Sequence, residues 1–199
     1  HAAKKENILG RYTVISEVSQ KIVDLLSDGM VPDLIADKNS IGLCGPDEKG
    51  DFSVGIYLYD IEENHDMRRS GVVNYSYTGQ KFPPLILSLY YMITAYSSSD
   101  IKFRAIQEQR ILGRVMQILA DHSLISGESF GNDTTESDLR IELLDLTTEE
   151  KMKLWNDTTK PYKTSLCYRV TPVELESTKE KRISRVTEFT VEMQDTAEE

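Results

Sequence analysis

A double proline, Pro83-Pro84, opens the apolar run 85–96, whose polar members are only Ser88, Thr94 and three tyrosines. A strand this long and this apolar cannot lie at an exposed edge, where its unpaired amides and carbonyls would template aggregation. It belongs inside a sheet. Alternation places Leu85, Leu87, Leu89, Tyr91 and Ile93 on one face, and Ile86, Tyr90 and Met92 on the other.

The rest of the chain supplies partners for that strand. Val14, Ile15, Val18, Ile22, Leu25 and Leu26 recur at helical spacing, which predicts a helix over 13–26 with a stop at Asp28-Gly29 and no continuation past Pro32. Residues 31–51 read as an irregular connection holding one short strand at 41–44. Phe52, Val54, Ile56 and Leu58 alternate with Ser53, Gly55, Tyr57 and Tyr59, the period of a strand covered on both sides. An acidic turn and a long polar excursion, 62–80, follow; a connection of this length is often functional. Asp100 is placed to cap a helix whose buried stripe is Ile101, Ala105, Leu112, Val115, Met116 and Leu119. A polar loop, 127–138, leads to an alternating strand at 139–143. Thr147 with Glu150 forms a capping box for a short helix that carries Met152 and Trp155 on one face. Thr164, Leu166, Tyr168 and Val170 alternate up to Pro172, and a last strand is expected over 183–193. The outline predicts one α+β domain over 1–199, a mixed or mainly antiparallel sheet with packed helices, with flexible ends at 1–11 and 194–199.

Length and charge restrict the function. One core fits 199 residues, of which 39% are hydrophobic. A formal net charge of −10 argues against nucleic acid, which needs clustered Lys and Arg. No apolar run approaches the ~20 residues of a membrane span, and residues 1–6 lack the hydrophobic core of a signal peptide. Cys44 and Cys167 match no metal or redox spacing and read as reduced thiols, in keeping with synthesis in the cytosol.

Catalytic patterns are missing. No nucleophile elbow, phosphate-binding loop, dinucleotide fingerprint or His-Glu-x-x-His is present. His65 beside Glu62, Glu63, Asn64 and Asp66 could be imagined as a metal site, but a single local turn offers too few good donors, and a solvated acidic turn is the stronger reading. His122 follows the long helix, where a cation complements the dipole. The sequons at Asn74, Asn132 and Asn156 read as chance matches in a chain without a secretory signal. Arg68, Arg69, Arg110 and Arg114 leave two readings open. They form a solvated face or internal pairs with Asp60, Glu62 or Glu63, or they make bidentate contacts to carboxylates of a neighbouring subunit.

In order along the chain come the helix 15–26, the run 56–64 (Ile-Tyr-Leu-Tyr-Asp-Ile-Glu-Glu-Asn), an arginine soon after, the run 83–96, and 111–119 (Ile-Leu-Gly-Arg-Val-Met-Gln-Ile-Leu). This ordered set, with weaker likeness at 139–146, Trp155 and 165–170, resembles the cap or tube-terminator family of contractile injection systems, which are phage-tail-like particles. Residues 71–82 depart from it as an extended loop, and 35–50 match loosely. The resemblance implies a tail-terminator-like fold and a structural protein rather than an enzyme, with no cofactor and no metal. It implies a homo-hexameric ring that closes the distal end of the inner tube, halts tube growth and engages the last sheath ring. Its partners would be further copies of itself, the inner tube protein and the sheath protein, with neither nucleic acid nor membrane. It would be made in the bacterial cytoplasm and end in a particle that is retained or released. The candidate interface residues are Asp60, Glu63, Asn64, Arg68, Arg69, Arg110 and Arg114. The alternatives are a soluble monomeric adaptor for another particle protein and, less favoured, a small metal-dependent hydrolase using the turn at 62–66.

Overall fold

The computed structural model describes residues 12–67, 73–74, 79–127, 138–155 and 161–182. The expected strand over 183–193, the chain ends, Arg68, Arg69, Asn132, Asn156 and most of the 127–138 loop lie outside the described residues.

The apolar run forms β5 (Leu85–Ala95), and it is central. It pairs antiparallel on one side with β2 (Val54–Glu63) and on the other with β8 (Ser165–Leu175). Beyond β2 lies β1 (Ile41–Leu43), parallel to it. Beyond β8 come β7 (Leu139–Leu143) and β6 (Leu124–Ile125). The six-stranded order is therefore β1-β2-β5-β8-β7-β6, a mixed sheet and an α+β fold. A small second sheet joins β3 (Val73–Asn74), β4 (Gly79–Lys81) and β9 (Glu180–Arg182).

Two helices, α1 (Val14–Met30) and α2 (Ile101–Asp121), cover one face. Leu87, Leu89, Tyr91 and Ile93 of β5 pack there with Val18, Ile22 and Leu26 of α1 and with Ile111, Val115 and Ile118 of α2. The opposite face carries a smaller cluster of Met92, Trp155 and Cys167, flanked by Tyr57, Tyr59, Leu154 and Tyr162. Tyr162 meets Trp155 edge-on at 5.9 Å between ring centroids. Both cysteines are free thiols, raised in pKa chiefly by burial.

Several expectations change. Helix α1 runs past Asp28-Gly29 to Met30. Gly29 is used inside the helix, because a Cβ there would lie 2.4 Å from Ile118 Cδ1; its absence lets α1 and α2 approach closely. The acidic segment 60–63 is not a turn but the second half of β2. A β-bulge at Tyr59 breaks the register between Leu58↔Tyr91 and Asp60↔Tyr90. The alternation is thereby reset, so Asp60 and Glu62 leave the helix-covered side. Strand β8 does not end at Pro172 but passes through it. A second irregularity, opposite Ser88, spares Pro172 the ladder amide it lacks.

Helix α2 differs most from its predicted stripe. Its buried residues are Ile111, Leu112, Val115, Ile118 and Leu119. Ile101, Ala105 and Met116 are exposed. Asp100 sits at the N-cap, yet its side chain makes no capping bond. In α3 (Thr148–Lys153) the capping box is present, with Thr147 N donating to Glu150 Oε2 at 2.8 Å. That bond and the Thr147 hydroxyl hold the Glu150 carboxyl below its usual range. Met152 is exposed while Trp155, just beyond the helix, is buried, so the two do not share a packed face.

Candidate functional site

The predicted interface residues fall on two separate elements. Asp60, Glu63 and Asn64 belong to the end of β2, and Arg110 and Arg114 to α2. Asp60 is exposed and accepts from the amide of Ile61 at 2.8 Å. Glu63 Oε1 is 3.7 Å from His65 Nδ1. Asn64 closes the strand. Its amide donates to Ile86 O at 2.7 Å, its side chain accepts from Met67 N at 3.3 Å, and its Nδ2 donates to Thr171 Oγ1 at 3.4 Å. Glu62 accepts from Tyr90 Oη at 2.7 Å.

Arg110 is exposed. Arg114 is exposed too, but engaged: Nε donates to Gly29 O at 3.0 Å and Nη1 to Gln117 Oε1 at 2.6 Å. It meets the carbonyl end of α1, where a positive group offsets the helix dipole. His122 does similar work at the end of α2, with Nδ1 2.9 Å from Ile118 O. The two arginines thus divide, one tying helices together and one facing solvent.

Around His65 the donor set is one imidazole and one nearby carboxylate, short of the three protein ligands a catalytic metal requires. Among the described residues, no three His, Cys, Asp or Glu side chains group as metal ligands, and no helix is long and apolar enough to cross a membrane.

The β2–β5–β8–β7 face opposite the helices carries a polar ladder. Asp60 lies opposite Tyr90, Tyr90 opposite Arg169, and Arg169 opposite Glu142. Arg169 Nη2 donates to Glu142 Oε2 at 2.5 Å, and that carboxylate raises the guanidinium pKa. Tyr90 is pushed up, first by burial and then by Glu62.

Sequence reasoning missed a cleft of about 640 Å³ at the other end of the sheet. Its wall includes Pro46, Lys49, Tyr96, Arg104, Trp155 and Lys163. Lys49 and Lys163 place their ammonium groups 5.5 and 5.6 Å from the centroid of the Tyr96 ring. Lys163 also pairs with Glu108 at 2.5 Å, and the same Glu108 oxygen accepts from the amide of Ser97 at 3.1 Å. Four separate segments meet here, so no local motif marks it.

Residues 17–188 match the family model described as the Pvc16 N-terminal domain. This chain belongs to that family. The fold of this Pvc16-type domain is also that of two solved terminators. It is similar to the PVC sheath/tube terminator of an extracellular contractile injection system in its extended state. The TM-score is 0.63 at 17% identity, covering 92% of this chain and 64% of that one. It is likewise similar to the tube-terminating cap of the anti-feeding prophage, with TM-score 0.62 at 15% identity, covering 92% and 62%. The chain therefore spans a little under two thirds of each terminator's length. No curated protein sequence matches it. Neither structure's name denotes an enzyme; both name parts of a particle.

Proposed function

We propose that this domain caps the inner tube of a contractile injection particle as a homo-hexameric ring, stopping tube growth and engaging the last sheath ring. The supporting observation is that membership of the Pvc16 N-terminal domain family, over residues 17–188, and likeness to two terminators, over 92% of the chain, each take in most of it. The reading takes 1–199 as one cap domain. It places the protein in the bacterial cytoplasm during synthesis and in a released phage-tail-like particle afterwards.

The physical logic is that of arrested polymerisation. Tube subunits add through one repeated heterologous contact, and a terminator offers a tube-compatible surface on one side only. Exposed Asp60 and Arg110, on separate elements, suit the two halves of such a contact between neighbouring copies. Glu63, Asn64, Arg68 and Arg69 are assigned to the same joint. Arg114 serves it indirectly, by fixing α2 against α1.

Co-expression with the tube and sheath proteins, followed by negative-stain imaging, tests the proposal. Capped tubes of uniform length with six-fold end rings are expected, and overlong tubes when the domain is omitted. A domain that stays monomeric and leaves tube length unchanged in the presence of both proteins would be an adaptor, not a cap. Arg110→Glu should leave the monomer folded and weaken ring formation by ~2–5 kcal/mol if the guanidinium is desolvated at the joint.

A further inference from the structure

We infer that the Tyr96 cleft is a docking site for an acidic, extended peptide segment of a protein partner. The inference is independent of the capping role and goes beyond it. About 640 Å³ falls within the range of ligand sites. The floor is aromatic and rigid: Tyr96 and Trp155 are both buried, and Pro46 and Pro161 border it. Stiff rings and prolines lose little conformational freedom when a chain settles on them.

The charge selects the ligand. Lys49, Arg104 and Lys163 line the cleft together with Asp47 and Glu108, an excess of one cation in a chain of net charge −10. Glu108 is already committed to Lys163 and to the Ser97 amide. The Tyr96 ring holds the Lys49 ammonium on the wall, so an entering carboxylate meets a cation already in place. Arg104 extends from the first turn of α2 with a guanidinium suited to carboxylates.

The shape selects a segment over a small anion. Ile101, Arg104 and Glu108 stand at i, i+3 and i+7 on α2, so Ile101 continues the cleft wall outward. It is 81% exposed, an apolar step beyond the cations. An extended chain alternating carboxylate and apolar side chains would place acids at Lys49 and Arg104 and an apolar group on Ile101.

Trp155 is the single tryptophan and lines the cleft, so its fluorescence reads occupancy directly. The intact protein is titrated at low salt with a short, end-blocked peptide of alternating Glu and Leu. Its Gln/Leu counterpart and free glutamate serve as comparisons. A saturable change with the Glu/Leu peptide alone is expected. The double variant Lys49→Gln, Arg104→Gln should weaken it about tenfold, since two partly exposed charge contacts are removed. Lys38→Gln, paired with Asp28 away from the cleft, should leave it unchanged. Ile101→Ser should also weaken the peptide, while free glutamate stays without effect on either protein. Equal response to the Gln/Leu peptide, equal response to free glutamate, or indifference to the double variant would each overturn the assignment.

Discussion

The two faces of the central sheet are built on different principles. On the helix side, Leu89, Tyr91 and Ile93 disappear entirely beneath α1 and α2, and a polar tie there, Ser19 Oγ to Tyr91 Oη at 2.8 Å, is buried. On the other side, the apolar cluster is only Met92, Cys167 and Trp155 at one end, Ile86, Ser88 and Glu174 are buried at the other, and a half-exposed ladder of Tyr90, Arg169 and Glu142 lies between. One face is held by apolar area; the other is left available to solvent and to partners. The stability of the domain therefore resides on the first, and surface change should be tolerated on the second.

The sharpest way to break that contrast is to truncate the same strand on either side. Leu89→Ala should cost about 3–5 kcal/mol in urea unfolding, and Met92→Ala about 2, because the smaller cluster has more room to relax. Equal losses would mean that both faces are load-sharing cores. Alkaline titration comes next. Burial raises Tyr91 and Tyr168, both on the helix face, from 10.0 to about 12. The native state then holds protons that the unfolded chain releases. Stability should be full below the unfolded pKa and fall as pH rises through 10 towards 12, by about 2 kcal/mol per tyrosine. Melting temperature against pH should flatten in Tyr91→Phe if the assignment holds.

A smaller effect is expected where the helices meet. Gly29→Ala gains helix propensity but drives a methyl into Ile118, so a net loss of about 1 kcal/mol should follow, partly relieved by Ile118→Val in a double-mutant cycle. Smallest of all, Glu142→Gln on the ladder should cost no more than ~1 kcal/mol, and less as salt is added, because the pair is about one third exposed.

The central strand, the strand at 139–143 and the capping box at Thr147 were legible because each is a local pattern. What was not legible depends on where neighbours stop. Periodicity names the side of α2 that could be buried, but not that burial begins only at Ile111. Ile101 and Ala105 therefore keep the right spacing and the wrong environment. Likewise, counting residues in pairs through Tyr59 assigns Asp60 to a turn, since one unpaired residue carries no compositional mark. At the candidate site, spacing leaves the arginines even between a solvated or internally paired role and contacts to a neighbouring subunit; folding gives Arg114 a backbone partner, Gly29 O, that no spacing rule names, and leaves Arg110 exposed. The Tyr96 cleft was hidden because Lys49, Arg104 and Lys163 become neighbours only after folding.

The bulge at Tyr59 also sets a rule of inheritance for β2. Tyr59 is the unpaired residue, so deleting it alone would leave Asp60 opposite Tyr90 and Ile61 opposite Leu89, whereas one deletion elsewhere in the strand shifts the faces of the residues on one side of it. Two residues could be lost or gained with the pattern intact. Length change in this strand is therefore tolerated in even steps or at the bulge itself, and related chains whose β2 differs by one residue should differ at Tyr59.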